Sequence, residues 1–314
     1  MKLIADKDEL AKYHHPRAQG AVVTSIAARI WPYKLVAHIL QELLVSSDLR
    51  GTFNLQTLTP AESIEPTEDG KWLVKTSRGN ITAKNIALAT NAYTSHLLPN
   101  FADLIVPCRG QMSALIPLSS ISGSNRLQTS MGFEGDGLDD YLIQRPNDKG
   151  GHLMFGGGRT HGKSVGVTDD STFDEITARY LRRELIDAFE LPERSDEKLE
   201  MQAVAQWTGI MGFSRDEVPW VGPVPGKEGV FVAAGYTGHG MPNTWLSGKA
   251  VASMVTASLN GEEMAGSVEA ARKTTGLPRA YQVSTERIAK AMAGGSVEER
   301  DEAEMSRDQR IRET

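Results

Sequence analysis

Apolar and polar positions change period several times along the chain. Residues 20–30 are rich in β-branched and small side chains, and Trp31-Pro32 closes that run. From Tyr33 the residues Leu35, Val36, Ile39, Leu40, Leu43 and Leu44 recur at i, i+4 and i+8. That spacing predicts a strongly amphipathic helix with Pro32 in its first turn, where a missing N–H costs nothing. After Gly51 the period becomes strand-like, through Phe53, Leu55 and Thr57 and then residues 63–65. The turns Glu68-Asp69-Gly70 and Arg78-Gly79-Asn80 divide the next segment into a β-meander ending in a buried strand at 86–89.

Between 104 and about 206 the pattern predicts short strands at 110–116, 141–145 and 152–155, the last running into Gly156-Gly157-Gly158. One helix interrupts them. From 172 to 190, Phe173, Ile176, Tyr180, Leu181, Leu185 and Phe189 form an apolar stripe beside Arg179, Arg182, Arg183 and Glu184, and Pro192 ends it. A buried strand is predicted at 230–234, a glycine-rich turn at 235–240, and a helix at 241–259 with Trp245, Leu246, Val251, Met254 and Val255 inward. From 296 to 314 Glu, Asp and Arg dominate, which predicts a frayed or disordered tail.

Composition narrows the class. The chain has 314 residues, 40% hydrophobic and 24% charged, with 30 glycines, as in a globular protein of one large or two ordinary domains. A net charge of −6 argues against non-specific nucleic-acid binding. Cys108 is the single cysteine, which excludes an intrachain disulfide framework or a multi-cysteine metal site and makes a reducing, cytoplasmic compartment the default. No apolar run reaches membrane-spanning length, no signal peptide is recognisable at the start, and no Ser-Lys-Leu signal stands at the end. No metal-ligating pattern, P-loop or nucleophile elbow is present.

The stretch Val230-Phe-Val-Ala-Ala-Gly-Tyr-Thr-Gly-His-Gly-Met241 joins strand, glycine turn and helix. Such a turn presents backbone N–H groups and a positive helix end to an anion or an electron-rich ring edge. The same glycines also suit a plain strand-to-helix connection that needs positive φ. Gly238-x-Gly240 is followed by Asn243, so the G-x-G-x-x-G fingerprint fails, as it does at Gly156-Gly157-Gly158. Arg159 is placed either to grip a substrate carboxylate bidentately or to form an ion pair. Arg109 carries the same two readings. His239 reads as a locally bonded loop residue, His14-His15 as part of a solvated loop, Asp139-Asp140 as a turn, and Trp31 and Trp207 as core.

These residues carry a resemblance. Gly235 to Met241, preceded by Trp207-Thr-Gly-Ile-Met-Gly-Phe-Ser-Arg-Asp216-Glu-Val-Pro219-Trp-Val-Gly222, resembles the C-terminal flavin-contacting region of the FAD-dependent amine and amino-acid oxidoreductases, the D-amino-acid oxidase, glycine oxidase and sarcosine oxidase superfamily. Gly79-Asn-Ile-Thr-Ala-Lys-Asn-Ile-Ala-Leu-Ala-Thr-Asn-Ala-Tyr93 and Pro107-Cys-Arg-Gly-Gln111 resemble two further segments in the right order, over roughly residues 20–285. The resemblance implies a mixed α/β fold in which an FAD-binding Rossmann-like domain (31–106 and 207–290) interleaves with an antiparallel-sheet substrate domain (1–30 and 107–206), followed by a charged tail (291–314). It implies that Gly235, Gly238, His239, Gly240 and Met241 face the pyrimidine edge of the flavin, where N–H groups and the helix end stabilise charge on reduction. Ala61 would meet the adenosine half, Ala89, Thr90 and Asn91 the pyrophosphate and ribityl chain, and Tyr236 the substrate side.

Two departures qualify it. The sarcosine oxidase branch joins flavin to a cysteine near the position of Gly209, and a lysine of that branch is replaced near Pro242. The first implies non-covalent FAD. The superfamily also opens with a strand, glycine turn and helix that grip the pyrophosphate, and this chain contains no such unit, so a truncated product lacking about one domain upstream is expected. The implied activity is oxidation of a C–N bond in an amino acid or secondary amine by hydride transfer to FAD, with oxygen or a quinone-type acceptor downstream. The alternative is an inactive fragment serving at most in binding.

Overall fold

The structure is a computed structural model, which describes residues 1–303 apart from 47, 49–51, 136–137 and 196–198. A two-stranded ribbon of β1 (Lys2–Ile4) and β2 (Ala21–Val23) encloses α1 (Lys7–Ala11), and α2 (Pro32–Val45) comes after it. Next come β3 (Ala61–Pro66), β4 (Trp72–Thr76) and β5 (Ile81–Ala83), an antiparallel meander, then β6 (Ile86–Leu88) and α3 (Thr94–Leu97). The meander is as expected from its turns: Gly70 adopts φ +74° and the Thr67 N–H closes on Lys71 O at 2.8 Å. Phe53, Leu55 and Thr57 form no strand.

A five-stranded antiparallel sheet is built from β7 (Ile105–Leu115), β8 (Met131–Gly135), β9 (Leu138–Gln144), β10 (Leu153–Gly157) and β11 (Ala203–Ser214), in the order β11-β7-β10-β9-β8, with α4 (Glu175–Ala188) inserted before β11. Paired residues of antiparallel strands share a face and successive residues alternate. One face therefore carries Leu115, Leu142, Leu153, Phe155 and Phe133, buried under Leu181, Leu185 and Ile186 of α4. Asp174 caps that helix by accepting the Thr177 N–H at 2.9 Å. The opposite face carries Gly110 and Met112 of β7, Trp207, Gly209 and Met211 of β11, Gly156 of β10, and Asp139 and Tyr141 of β9. Among the described residues, Val297 covers its lower end, against Val106, Cys108 and Phe213.

The third layer is a small sheet, β12 (Trp220–Pro223), β13 (Val230–Ala234) and β6, in which β12 and β13 are antiparallel but β13 and β6 are parallel. Alternation divides β13 between two cores. Val230, Val232 and Ala234 join Leu88, Phe101, Ile105 and Trp220 on one side. Phe231 joins Ala250, Val251 and Met254 of α5 (Gly240–Leu259), with Ala271 of α6 (Met264–Thr275), on the other. The last labelled helix is α7 (Thr285–Ala293).

Several expectations need correction. The helix expected from Tyr33 forms with Pro32 in its first turn, but none of its residues is buried. In α5, Val251 and Met254 face inward, but Trp245 is 68% exposed and Leu246 also lies outside, because the inward face of this long helix is set by the β13 side of the sheet. Trp31 is exposed between the Lys34 ammonium and the Arg145 guanidinium, and Trp207 is exposed on the open sheet face. Asp140 lies within β9, not a turn; its parity points it under α4, where it accepts hydrogen bonds from Tyr180 Oη and from Gly158 N–H at 2.6 Å. His14 is exposed, but His15 is half-buried against Phe133 and Phe189, and burial pushes its pKa down. Residues 297–303 are helical, and the tail beyond 303 lies outside the described residues. No described helix is long and apolar enough to cross a membrane, and among the described residues no cluster of His, Cys, Asp and Glu is placed to hold a metal ion.

Candidate functional site

Because β6 and β13 run parallel with Val230 opposite Ile86 and Val232 opposite Leu88, both strands end on the same side of the sheet. The loops that leave them, 89–91 and 235–239, meet there. Asn91 takes φ +45°, and its Oδ1 accepts the N–H groups of Gly235 (3.0 Å) and Tyr236 (3.4 Å), across 144 and 145 residues. A Cβ on Gly212 would lie 2.8 Å from Asn91 Oδ1 and 2.9 Å from the Ala92 nitrogen, so only glycine lets β11 approach this junction. Thr237 then ties the second loop to β11: its N–H donates to Gly212 O at 2.8 Å and its Oγ1 accepts from Ser214 N–H at 3.0 Å.

The helix end comes immediately after. His239 donates from Nδ1 to the Thr237 carbonyl oxygen at 2.7 Å, which fixes the ring beside the helix end. No side chain caps the N-terminus of α5; Asn243 instead donates to His239 O. The first-turn N–H groups and the positive end of a 20-residue helix thus stand beside Gly238, His239 and Met241, all exposed. Gly238 has φ +76° with open space where a Cβ would be. This is the geometry by which open α/β sheets bind ligands, at the carboxyl ends of parallel strands.

The structure thus gathers Asn91 with Gly235, Gly238, His239, Gly240 and Met241, and sets Ala89 and Thr90 at the end of β6, the Thr90 hydroxyl 2.9 Å from that of Thr94. Ala61 opens β3 and packs on the core cluster that contains Leu97 and Leu98. Tyr236 lies apart from the surface: it is 7% exposed, its ring beside Gly240, and burial raises its pKa although Ser247 hydrogen-bonds its side chain. Of the two readings of Arg159, the ion pair is present, with Asp301. Arg109 donates to Lys163 O at 3.3 Å.

Sequence reasoning missed the clamp beneath the site. Arg287 grips both carboxylate oxygens of Asp216 (2.8 and 2.9 Å), donates to Val218 O and Pro219 O, and lies 3.7 Å over the Trp220 ring. Burial pushes the Asp216 pKa up, but Arg287 outweighs it and the carboxyl is held below its ordinary range. Neither partner's local pattern marks the pair, 71 residues apart.

Residues 2–254 match the family of FAD dependent oxidoreductases designated DAO. A glycine oxidase of Pseudomonas aeruginosa is 30% identical over 198 residues, 60% of this chain and 48% of the relative. The gamma-glutamylputrescine oxidoreductase of Escherichia coli is 24% identical over 246 residues, 76% of this chain and 50% of the relative. The chain therefore spans about half the length of these curated relatives. Among crystal structures, glycine oxidase from Geobacillus kaustophilus superposes with a TM-score of 0.51 at 22% identity, covering 67% of this chain and 50% of that one. Fructosyl amine:oxygen oxidoreductase (Amadoriase I) from Aspergillus fumigatus gives 0.51 at 14%, covering 74% and 50%. The mixed α/β fold is that of these flavoenzymes, and the chain belongs to the DAO family of FAD dependent oxidoreductases.

Proposed function

We propose that this protein binds FAD non-covalently and oxidises the C–N bond of an amino acid or secondary amine. In that reaction a hydride leaves the carbon next to nitrogen, the resulting iminium is hydrolysed by water, and oxygen takes the two electrons with two protons to give hydrogen peroxide. The observation that carries the reading is the junction held by Asn91, where the loops after two parallel strands meet an uncapped helix end. The residues fit the cofactor, because exposed N–H groups, a glycine without a Cβ and a positive helix end converge there. When bound, FAD supplies a two-electron acceptor whose reduction adds negative charge to one edge of its ring system. Gly238, His239, Gly240 and Met241 would hold that edge and stabilise the charge with fixed dipoles. Ala89, Thr90 and Asn91 would hold the chain of the cofactor, and Ala61 the adenosine half.

Non-covalent attachment follows from the thiol. Gly209 offers none, and Cys108 is buried with its pKa pushed up to about 12 by burial, so it is no nucleophile. Relatives named for glycine and for gamma-glutamylputrescine support a small amine as substrate class. The test is direct. The purified chain is titrated with FAD and its visible spectrum recorded, and amines are then added while peroxide is measured. Bound-flavin bands that bleach with an amine are expected. A colourless chain that takes up no FAD would overturn the reading, and bleaching without peroxide would replace oxygen by another acceptor.

A further inference from the structure

The sheet face that α4 leaves open carries a charged corner. By register, Asp139 and Tyr141 of β9, Cys108, Gly110 and Met112 of β7, and Gly209, Met211 and Phe213 of β11 all project from it. Arg159, just beyond β10, lays its guanidinium over the Phe213 ring at 5.4 Å, with Asp139 Oδ2 4.0 Å from Nε. A carboxylate already sits on that guanidinium. Asp301, 142 residues away in sequence, pairs with Arg159 Nη1, and the two side chains are only 15% and 18% exposed.

Asp301 is delivered by the helical segment 297–303. That segment has its own moorings: Val297 packs on Val106, Cys108 and Phe213, and Arg300 donates to the carbonyl oxygens of Ser214 (3.3 Å), Arg215 (2.6 Å) and Gly295 (3.1 Å). Among the described residues the segment's moorings are one buried apolar side chain, Val297, and one arginine, Arg300, which also pairs with Glu217 at 3.6 Å. Exchanging one carboxylate for another on a guanidinium changes little in charge or hydrogen bonding, so the main cost of displacing Asp301 is that of releasing this segment.

We propose that Arg159 is a carboxylate-binding subsite of the open sheet face, and that the chain's own Asp301 occupies it until the carboxylate of a ligand displaces it. The ligand class is an amino acid or other carboxylate-bearing amine whose apolar part lies along Met112, Met211, Tyr141 and Trp207. That this ligand is also the substrate rests on the proposed function; the exchange of carboxylates does not. Segment 297–303 is then a resident competitor, and it lowers the apparent affinity by the fraction of molecules in which it is seated.

The test uses the full chain and no flavin, so its result is independent of FAD uptake. Amide hydrogen exchange of 297–303 is followed by mass spectrometry with sodium acetate, sodium chloride at equal ionic strength, or methylammonium chloride. Acetate is expected to raise exchange in this segment at least fivefold and the other two salts to leave it unchanged. In Asp301→Asn, with Asp301→Ala as a second variant, acetate should bind about tenfold more tightly than to the unmodified chain, and in Arg159→Met the response should vanish. Unchanged exchange in saturating acetate, or no gain in acetate affinity for either Asp301 variant, would overturn the proposal. The exchange arm needs no variant and stands even if a substitution impairs folding. A failure of FAD titration alongside a positive acetate response would leave the subsite in place and remove only the flavin reading.

Discussion

Helices α2 and α4 have the same length, fourteen residues, and each carries an apolar stripe, yet their fates differ. Helix α4 buries Thr177, Ala178, Leu181, Leu185, Ile186 and Ala188 against the sheet face of Phe133, Leu142 and Phe155. Helix α2 buries none of its residues: Tyr33 is 77% exposed and Leu44 53%. A period of 3.6 specifies that a helix has a face. It does not specify what the face meets, because the partner is written in strands elsewhere in the chain.

Mutations separate the two helices most sharply. Leu185→Ala leaves a cavity under α4 and should destabilise by about 3 kcal/mol in urea unfolding, while Leu44→Ala in α2 should stay within about 0.5 kcal/mol. Equal losses would erase the distinction. Next in size is the clamp, which asks whether a polar tie in the covered region matches an apolar one. Asp216→Asn leaves the Arg287 guanidinium with carbonyl partners alone and should cost about 2–3 kcal/mol at pH 7. Since the folded pKa of Asp216 is lowered, its contribution is present above the unfolded value and is lost as pH falls through the folded one, so the variant should flatten the acid limb of the stability curve.

Asp140, under α4, should behave with the opposite sign. Burial raises its folded pKa despite the hydrogen bonds from Tyr180 and Gly158. Stability is therefore lost as pH rises from the unfolded value through the raised folded one. Asp140→Asn keeps an acceptor for Gly158 and should change stability at neutral pH by under about 1 kcal/mol while removing that slope. The gentlest probe is Cys108. With its pKa pushed up to about 12, it should resist iodoacetamide at pH 8 in the folded chain and react as the chain is unfolded in urea; rapid labelling of the native protein would contradict the buried placement.

How far the sequence reaches depends on how far apart the partners stand. The meander was legible because its turns, Asp69-Gly70 and Gly79-Asn80, lie between the strands they join. So was the strand, loop and helix from 230 to 259, since one local pattern spans it. The parallel pairing of β6 with β13 was not, nor was Asn91 as the residue that ties their loops, because parallel pairing leaves no turn to read. Strand β9 was legible from Tyr141, but its start hid behind Asp139-Asp140, where two acids in succession read as a turn but one is buried by strand alternation. The inward side of α5 was misjudged at Trp245, a large aromatic on the helix face away from β13.

The junction at Asn91 also imposes an order on synthesis. Strands β3, β4 and β5 pair within about twenty residues and are complete soon after they leave the ribosome. Strand β6 emerges next, but its neighbour β13 is made more than 140 residues later, and the Trp72 indole waits still longer for Glu228 O, 156 residues on. Until then Leu88 and Trp72 must stay soluble without the strand that buries them. The candidate site is thus completed late, and a nascent protein halted before residue 240 would display a finished meander without the loop and helix end that complete the junction.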